Sequence, residues 1–587
     1  MYTEVKSYQY VIALLKKYNI KHCVLSAGSR NLPFVHSVEE DSFFRCYSVV
    51  DERSAGYFAL GLAQELNEPV VISCTSSTAT CNYWPPVAEA FYQKVPLIIL
   101  TSDRDPEMLG QWEDQMINQV GMYDRHVRKS VNLPIIENYN DEIYCQRLIN
   151  EAFFELNHNG ATGPIHINVP TNTYNRSFIV KELPEVKKID RISINESEDV
   201  WESLKNKLKK SNKVLLICGQ KNYVSDELNK QINIFASKYN AVVISDYMSN
   251  INCETAINPS IIMDTQFANK SDVKKVLPDI VITYGGQIFS GIKAQLLNNN
   301  GKYEHWSIEE DGNIVDCFKS LNKVFECKPE EFFDKINQNM TNTNNNEYHK
   351  LFEELINDIV YPEFEWSHVY AIKNVVENIP ENSILHLSIN DSIRITNFFK
   401  LRQNIKTYAN IGTHGIDGCM SSFIGQSCVD SKKLSYLVIG DLAFFYDMNS
   451  LRIHGIGNNV RILLINNHGG SEFYYNSIYQ GNDKHTTARH NTKAEGWIRE
   501  NNFKYLCAHN KDEYNKNLKE FMCNESSQPI VFEVFTEMKT DADVIHNFYN
   551  KTRHKSVKNE IVRAGKEFAK KTLGQERAKK ILYKIKK

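Results

Sequence analysis

"LVIGDLAFFYDMNSL", residues 437–451, and "ILLINNHGG", residues 462–470, decide the fold. Each begins as an apolar run fit for a buried strand and breaks into polar residues at its end. Asp441 closes the first run, and Asn467 closes the second 26 positions later. Strand, crossover helix and strand need about that length, so the two side chains are expected side by side at neighbouring strand ends. A carboxylate, an amide oxygen and the carbonyl of Gly469 form an oxygen half-shell suited to Mg2+ (or Mn2+), with positions left for water and phosphate oxygens. Gly469 and Gly470 let the backbone approach a diphosphate. Taken singly, Asp441 reads as a helix cap and Asn467 as part of a turn. Taken together, they favour a metal-diphosphate site.

The same alternation of short apolar runs and helical stretches extends outward in both directions and reads as α/β with parallel sheets. Three doubly wound blocks are expected, each offering strand ends to a ligand. Residues 1–180 hold "YSVV", "PVVISCT" and "VPLIILTSD"; residues 195–336 hold "KVLLICG", "AVVISD" and "IVITYGG"; residues 350–550 hold the opening fragments. The charged stretch 181–198 reads as a linker, and the Asn-rich stretch around 337–349 as unfolded. A basic helical tail, 551–587, carries 14 Lys or Arg against 3 Asp or Glu. It reads as a solvated or docked helix, or as one lying on an anionic membrane surface or a partner.

Composition narrows the class. The 587 residues are 42% hydrophobic and 24% charged, as in ordinary globular chains, and a net charge of −3 argues against a nucleic-acid binder. No apolar run reaches the length of a membrane span and no signal peptide opens the chain, so a cytoplasmic protein is expected. The 13 cysteines are scattered without a C-x-x-C pair, which suggests reduced, mostly buried thiols and no zinc site.

"VVDERSAGYFALGLA", residues 49–63, places the carboxylate of Glu52 at the mouth of what looks like a buried strand, where an acid needs a partner or a use. Here a resemblance becomes specific. Paired strand ends of the G-D and N-N type and this glutamate segment resemble thiamine-diphosphate enzymes. "SAGSRNLPF" (26–34), "DERSAGYFALGLA" (51–63), "TSSTATCNYWPPVAEAFYQKVPLIILTSDRDPE" (75–107) and "GIDG" (415–418) resemble the menaquinone-pathway SEPHCHC synthases, which condense 2-oxoglutarate with isochorismate. The first block matches almost without interruption, the second in outline, and the third at its cofactor motifs.

The resemblance implies thiamine diphosphate and a divalent metal, Mg2+ or Mn2+. It assigns Glu52 to N1′ of the aminopyrimidine, where it promotes loss of the thiazolium C2 proton. It assigns Asp441, Asn467 and Gly469 to the metal, and Ile416, Leu442, Ala443 and Gly470 with them to the cofactor. Ser29, Arg30, Arg104, Gln115 and Arg394 fall to the substrates, a small 2-oxo acid and its acceptor, since guanidinium groups suit dicarboxylates. It also implies a homodimer, commonly paired into a tetramer, with each active site shared between chains. The competing readings are a pair of Glu52 with Arg53 across a helix start, and solvated surface roles for the arginines.

Departures bear on the substrate. Ile411 stands where the family has an arginine, His414 where it has a serine, and Asp114 where it usually has asparagine. Residues 479–497 show no resemblance to the family's segment there. An isoleucine wall beside Arg394 predicts a weaker preference for 2-oxoglutarate over pyruvate, unless Lys293 supplies the missing cation. A different donor or acceptor in a specialised pathway, or a non-catalytic homologue, are the alternatives. His414 and His468 are candidate acid–base groups; His485 and His490 make a weaker case.

Overall fold

The computed structural model describes all residues except 159–160, 173–176, 266–269, 289–290, 298–301, 340–346, 476–484 and 553–587. The basic tail therefore lies outside the described residues beyond Thr552. By contact the chain forms two compact units, Met1–Glu196 with Glu304–Lys328, and Ser197–Tyr303 with Pro329–Lys587.

The first unit contains a six-stranded sheet: β1 (His22–Leu25), β2 (Arg45–Ser48), β3 (Val70–Cys74), β4 (Leu97–Asp103), β5 (Lys129–Asn132) and β6 (Ile165–Pro170). They lie in the order β2-β1-β3-β4-β6-β5, and every pairing is parallel. Alternation decides which face each residue serves. Cys23, Leu25, Ile98 and Leu100 enter one apolar core, while Val24, Val70, Ile72, Leu97 and Ile99 enter a second on the opposite face. Both faces are covered, which is why these strands read as continuous apolar runs.

Seven further strands follow the same rule. β7 (Asp190–Ser193), β8 (Val214–Cys218), β9 (Ala241–Ser245), β10 (Ala256–Ile257), β11 (Ile280–Tyr284), β12 (Glu304–Ile308) and β13 (Leu321–Glu326) come from the middle of the chain. In the second unit β9 pairs with β10 and β8, and β8 with β11; in the first, β13 pairs with β12 and β7. All of these are parallel. The stretch expected to be only a linker thus contains β7. Its Ile192 is buried, enough apolar content to join an edge despite the charges around it. The Asn-rich stretch is helical at both described ends, Pro329–Asn337 and Glu347–Asn357.

The second unit also holds β14 (Ile384–Leu387), β15 (Lys406–Ala409), β16 (Ser435–Gly440), β17 (Val460–Asn466), β18 (Lys504–Ala508) and β19 (Ile530–Phe535). Their order is β15-β14-β16-β17-β19-β18, again all parallel. Leu385, Val438, Leu463 and Phe532 face one core; Leu437, Ile439, Ile462 and Val531 face the other. Six of the 13 cysteines are buried and three exposed, none in a disulfide, so thiol burial is less general than expected. No described helix is long and apolar enough to cross a membrane.

Candidate active site

β16 and β17 are neighbours in register from Ser435 opposite Val460 to Gly440 opposite Ile465. Asp441 and Asn467 follow directly, so the spacing argument holds. Asp441 is 2% exposed. Its Oδ2 accepts the Gly469 N–H at 3.0 Å and its Oδ1 accepts the Leu442 N–H at 2.6 Å. Asn467 donates its Nδ2 to Asp541 Oδ2 at 2.9 Å. Because the amide nitrogen is committed there, the amide oxygen is the atom turned away from Asp541. Gly469 has φ +146°, and a Cβ on it would lie 2.5 Å from the Thr487 carbonyl, so no side chain fits. A carboxylate, an amide oxygen and a close-approach glycine form an all-oxygen set of the kind that holds Mg2+. Ile416 and Ala443 share the apolar cluster beside them.

Residues 487–494 lie against this loop through their backbone. Gly470 N donates to Thr487 O at 2.8 Å, and His490 N to His468 O at 3.2 Å. Asn466 Nδ2 donates to Thr492 O at 3.0 Å and to the wholly buried Glu533 at 2.7 Å, which also accepts from Ala494 N. His490 is the histidine brought to Asp441, Nε2 to Oδ2 3.2 Å; its claim from sequence was the weaker one. His468 takes φ +66° and His414 φ +56°, both at turns.

Arg394 lies on the short helix Asp391–Thr396. Nη1 meets Asp391 Oδ1 at 2.9 Å and Nη2 meets Glu472 Oε1 at 2.9 Å, with a second Glu472 contact at 2.5 Å. These carboxylates hold the guanidinium firmly charged despite burial. Asp391 also accepts from Ser471 Oγ at 2.7 Å. Behind them lies His368, buried between Asp391 and Asp541, with Nε2 to Oδ2 3.7 Å and Nδ1 to Oδ1 3.2 Å. Burial favours its neutral form, but the two carboxylates outweigh that and raise its pKa to about 10. The same histidine and Arg394 hold Asp391 well below the usual carboxylate range, again against the desolvation that would raise it. The sequence reading missed His368, Asp391, Glu472 and Asp541. The i, i+3 pair of Asp391 and Arg394 was a usable signal; His368 and Asp541 are 173 positions apart and carried none.

Ile411 requires a correction. It is fully buried within the apolar core of its sheet, so it walls no pocket, and the predicted loss of donor preference loses its basis. Lys293 lies half-buried on the helix Ile292–Leu297.

The remaining predicted residues lie in the first unit, at the carboxyl ends of its strands. Glu52 begins the helix Glu52–Leu66, capped by Asp51, whose side chain accepts the Ser54 N–H at 3.0 Å. Asn82 Nδ2 donates to Glu52 Oε2 at 3.3 Å. The strand before it is not the buried one expected: β2 is an edge strand with exposed and half-buried residues, and Val50 is 78% exposed. An edge has one neighbour, so its outer side meets solvent. Glu52 is half-buried. Gly56 is explained by packing, because a Cβ there would lie 2.3 Å from Pro86 Cγ on the helix Trp84–Gln93.

Ser29 and Arg30 sit on the loop after β1. The loop is tied down by buried Asn31, which donates to Ser26 O at 2.9 Å and accepts from Ser73 Oγ at 2.6 Å. Arg30 N donates to Thr75 Oγ1 at 3.3 Å. Arg104, at the end of β4, is 7% exposed. Its guanidinium pairs with Glu113, lies 3.0 Å from Asp114 and reaches Gln115 Oε1 at 3.5 Å. The structure thus joins Arg104 to Gln115, and puts the unusual acid Asp114 on that same arginine.

Residues 5–122 match the family model described as thiamine pyrophosphate enzyme, N-terminal TPP binding domain. The chain is similar to the 2-succinyl-5-enolpyruvyl-6-hydroxy-3-cyclohexene-1-carboxylate synthase of Bacteroides fragilis, at 36% identity over 94% of this chain and 100% of that one. The protein of the same name from Bacteroides thetaiotaomicron matches at 36% identity with the same coverage, and that of Christiangramia forsetii at 32% over 94% and 99%. A solved benzoylformate decarboxylase from Polynucleobacter necessarius aligns over 92% of this chain and 99% of its own, with TM-score 0.44 and 14% identity.

Proposed function

Since the chain belongs to the thiamine-diphosphate-dependent SEPHCHC synthase family, we propose that it decarboxylates 2-oxoglutarate and transfers the resulting four-carbon unit to isochorismate. The observation that carries this reading is the juxtaposition of buried Asp441, the Asn467 amide and the Gly469 backbone at two paired strand ends. It supplies an oxygen half-shell for a divalent cation, Mg2+ or Mn2+, and room for a diphosphate at Gly469 and Gly470. Leu442, Ala443 and Ile416 complete the cofactor contact.

When bound, thiamine diphosphate supplies the electron sink for decarboxylation and carbon–carbon bond formation. Glu52 holds a proton at the aminopyrimidine N1′ and so sets the tautomer of that ring. Arg394, kept charged by Asp391 and Glu472, binds the donor carboxylate. Ser29, Arg30, Arg104 and Gln115 orient the acceptor's carboxylates. The 13 cysteines, none in a disulfide, fit a reducing, cytoplasmic setting. A homodimer, paired into a tetramer, is supported by the exposed Tyr57 and Phe58 on the Glu52 helix and by exposed Tyr92.

The test is product analysis of the purified chain with thiamine diphosphate, Mg2+, isochorismate and either 2-oxoglutarate or pyruvate. The succinyl adduct is expected from 2-oxoglutarate, with pyruvate far slower. Equal or better use of pyruvate, or decarboxylation without any isochorismate adduct, overturns the assignment of donor or acceptor.

A further inference from the structure

We propose that His368 is a positioning residue that couples the orientation of the cation ligand Asn467 to that of the donor-binding Arg394. The inference rests on the roles proposed above for those two residues and adds one that touches neither substrate nor cofactor.

A chain of close contacts, buried at Asn467, Asp541 and His368 and half-buried at Asp391 and Arg394, links the two ends. Asn467 is an amide, and only its oxygen can face a cation; flipped, it would present a donor nitrogen to the positive charge. Asp541 prevents the flip by accepting Nδ2 at 2.9 Å. Asp541 is itself wholly buried, and accepts from Thr536 Oγ1 at 2.7 Å and from the His368 backbone N–H at 2.9 Å. The His368 ring closes on it from the same side at 3.2 Å and reaches Asp391 with its other nitrogen at 3.7 Å. Asp391 in turn holds Arg394 at 2.9 Å and Ser471, the residue after Gly470, at 2.7 Å.

The charges explain why an imidazole stands at the centre. Asp541 is wholly buried and Asp391 partly so, and the His368 ring lies between the two carboxylates. A protonated ring attracts both and fixes their rotamers. A neutral amide leaves them with less to hold them. The pKa of His368 is raised to about 10 by those carboxylates, so the ring stays charged at neutral pH. In a low-dielectric site a displacement of either carboxylate is felt by the other, and through them by Asn467 and Arg394.

The test measures the Mg2+ concentration at which thiamine diphosphate raises Tm, and the KM for 2-oxoglutarate, in wild type, His368→Gln, His368→Lys and Asp391→Asn. His368→Gln is expected to raise the Mg2+ midpoint about 10-fold, the lower end for loss of an outer partner, and to raise KM more than it lowers kcat. His368→Lys, which keeps a cation, is expected to recover part of both. Asp391→Asn touches no cation ligand, yet is expected to shift the Mg2+ midpoint in the same direction; this variant decides the matter if His368 variants do not fold. An unchanged Mg2+ midpoint in Asp391→Asn, or loss of Tm in His368→Gln without change in midpoint or KM, overturns the coupling alone. A wild-type chain with no Mg2+-dependent Tm shift overturns the cation reading, and the coupling with it.

Discussion

The first and third sheets share one strand order, second-first-third-fourth-sixth-fifth, and one parallel sense, yet they finish their carboxyl ends differently. In the first, Glu52 is half-buried after an edge strand, and the Asn82 amide donates to it from 3.3 Å away. In the third, Asp441 is buried, its carboxylate accepts the Gly469 and Leu442 N–H groups, and Asn467 is held by Asp541 of the same unit. An identical topology therefore carries an open end and a closed one. Strand order fixes where functional groups emerge; the loops that follow decide how much solvent they keep.

The largest effect is expected from Glu52→Gln. Because the carboxylate is half-open and makes one long contact, its loss should leave Tm nearly unchanged while turnover falls about 10²–10⁴-fold, the range for a proton-transfer group. Thiazolium C2 hydrogen exchange reads it directly; wild-type exchange in the mutant ends the assignment. Asp441→Ala tests the closed end. It should weaken Mg2+-dependent retention of thiamine diphosphate by at least the roughly 10–100-fold known for outer partners of a metal. It should also lower Tm, because Gly469 and Leu442 lose their acceptor. Calorimetry with and without Mg2+ separates the two, and metal-independent binding of normal strength would exclude the cation role.

Ile411→Arg sharpens the contrast further. Ile411 belongs to the third sheet's core, so an arginine there is a buried charge without a partner, costing about 3–5 kcal/mol. A stable variant with improved use of 2-oxoglutarate would instead restore the pocket reading.

The smallest effect asks where the two sheets behave alike. His166 on β6 and His386 on β14 are both buried, and burial lowers their pKa to about 3 and about 4. The unfolded chain takes up these protons near pH 6.5 while the folded chain does not. Stability therefore falls as pH drops from about 6.5 towards 4, by about 1.4 kcal/mol per pH unit for each histidine. His166→Gln and His386→Gln should each remove one proton's worth of that slope in urea midpoints. An unchanged slope in either means that its ring is charged in the fold.

The strands were legible because burial on both faces leaves a plain apolar signature, and the pairing of Asp441 with Asn467 followed from strand length alone. Sequence could not show that β2 lies at an edge, since "RCYSVV" is apolar enough for either place. Nor could it show which way Ile411 points, because Ile411 lies in the turn after β15, where no strand alternation fixes its direction. The network around His368 was hidden for another reason. It is assembled from four separate segments, and long-range polar contacts leave no periodicity to read.

The backbone contacts of residues 487–494 bear on how this chain can change over time. Gly470 and Asn466 donate to the carbonyls of Thr487 and Thr492, while the amide hydrogens of His490 and Ala494 go to the His468 carbonyl and to Glu533. Nearly any amino acid offers the same groups, proline excepted as a donor. Drift through this segment can therefore erase its likeness to relatives while leaving the architecture around Asn466 and Glu533 undisturbed, whereas a single methyl group on Gly469 cannot be accommodated.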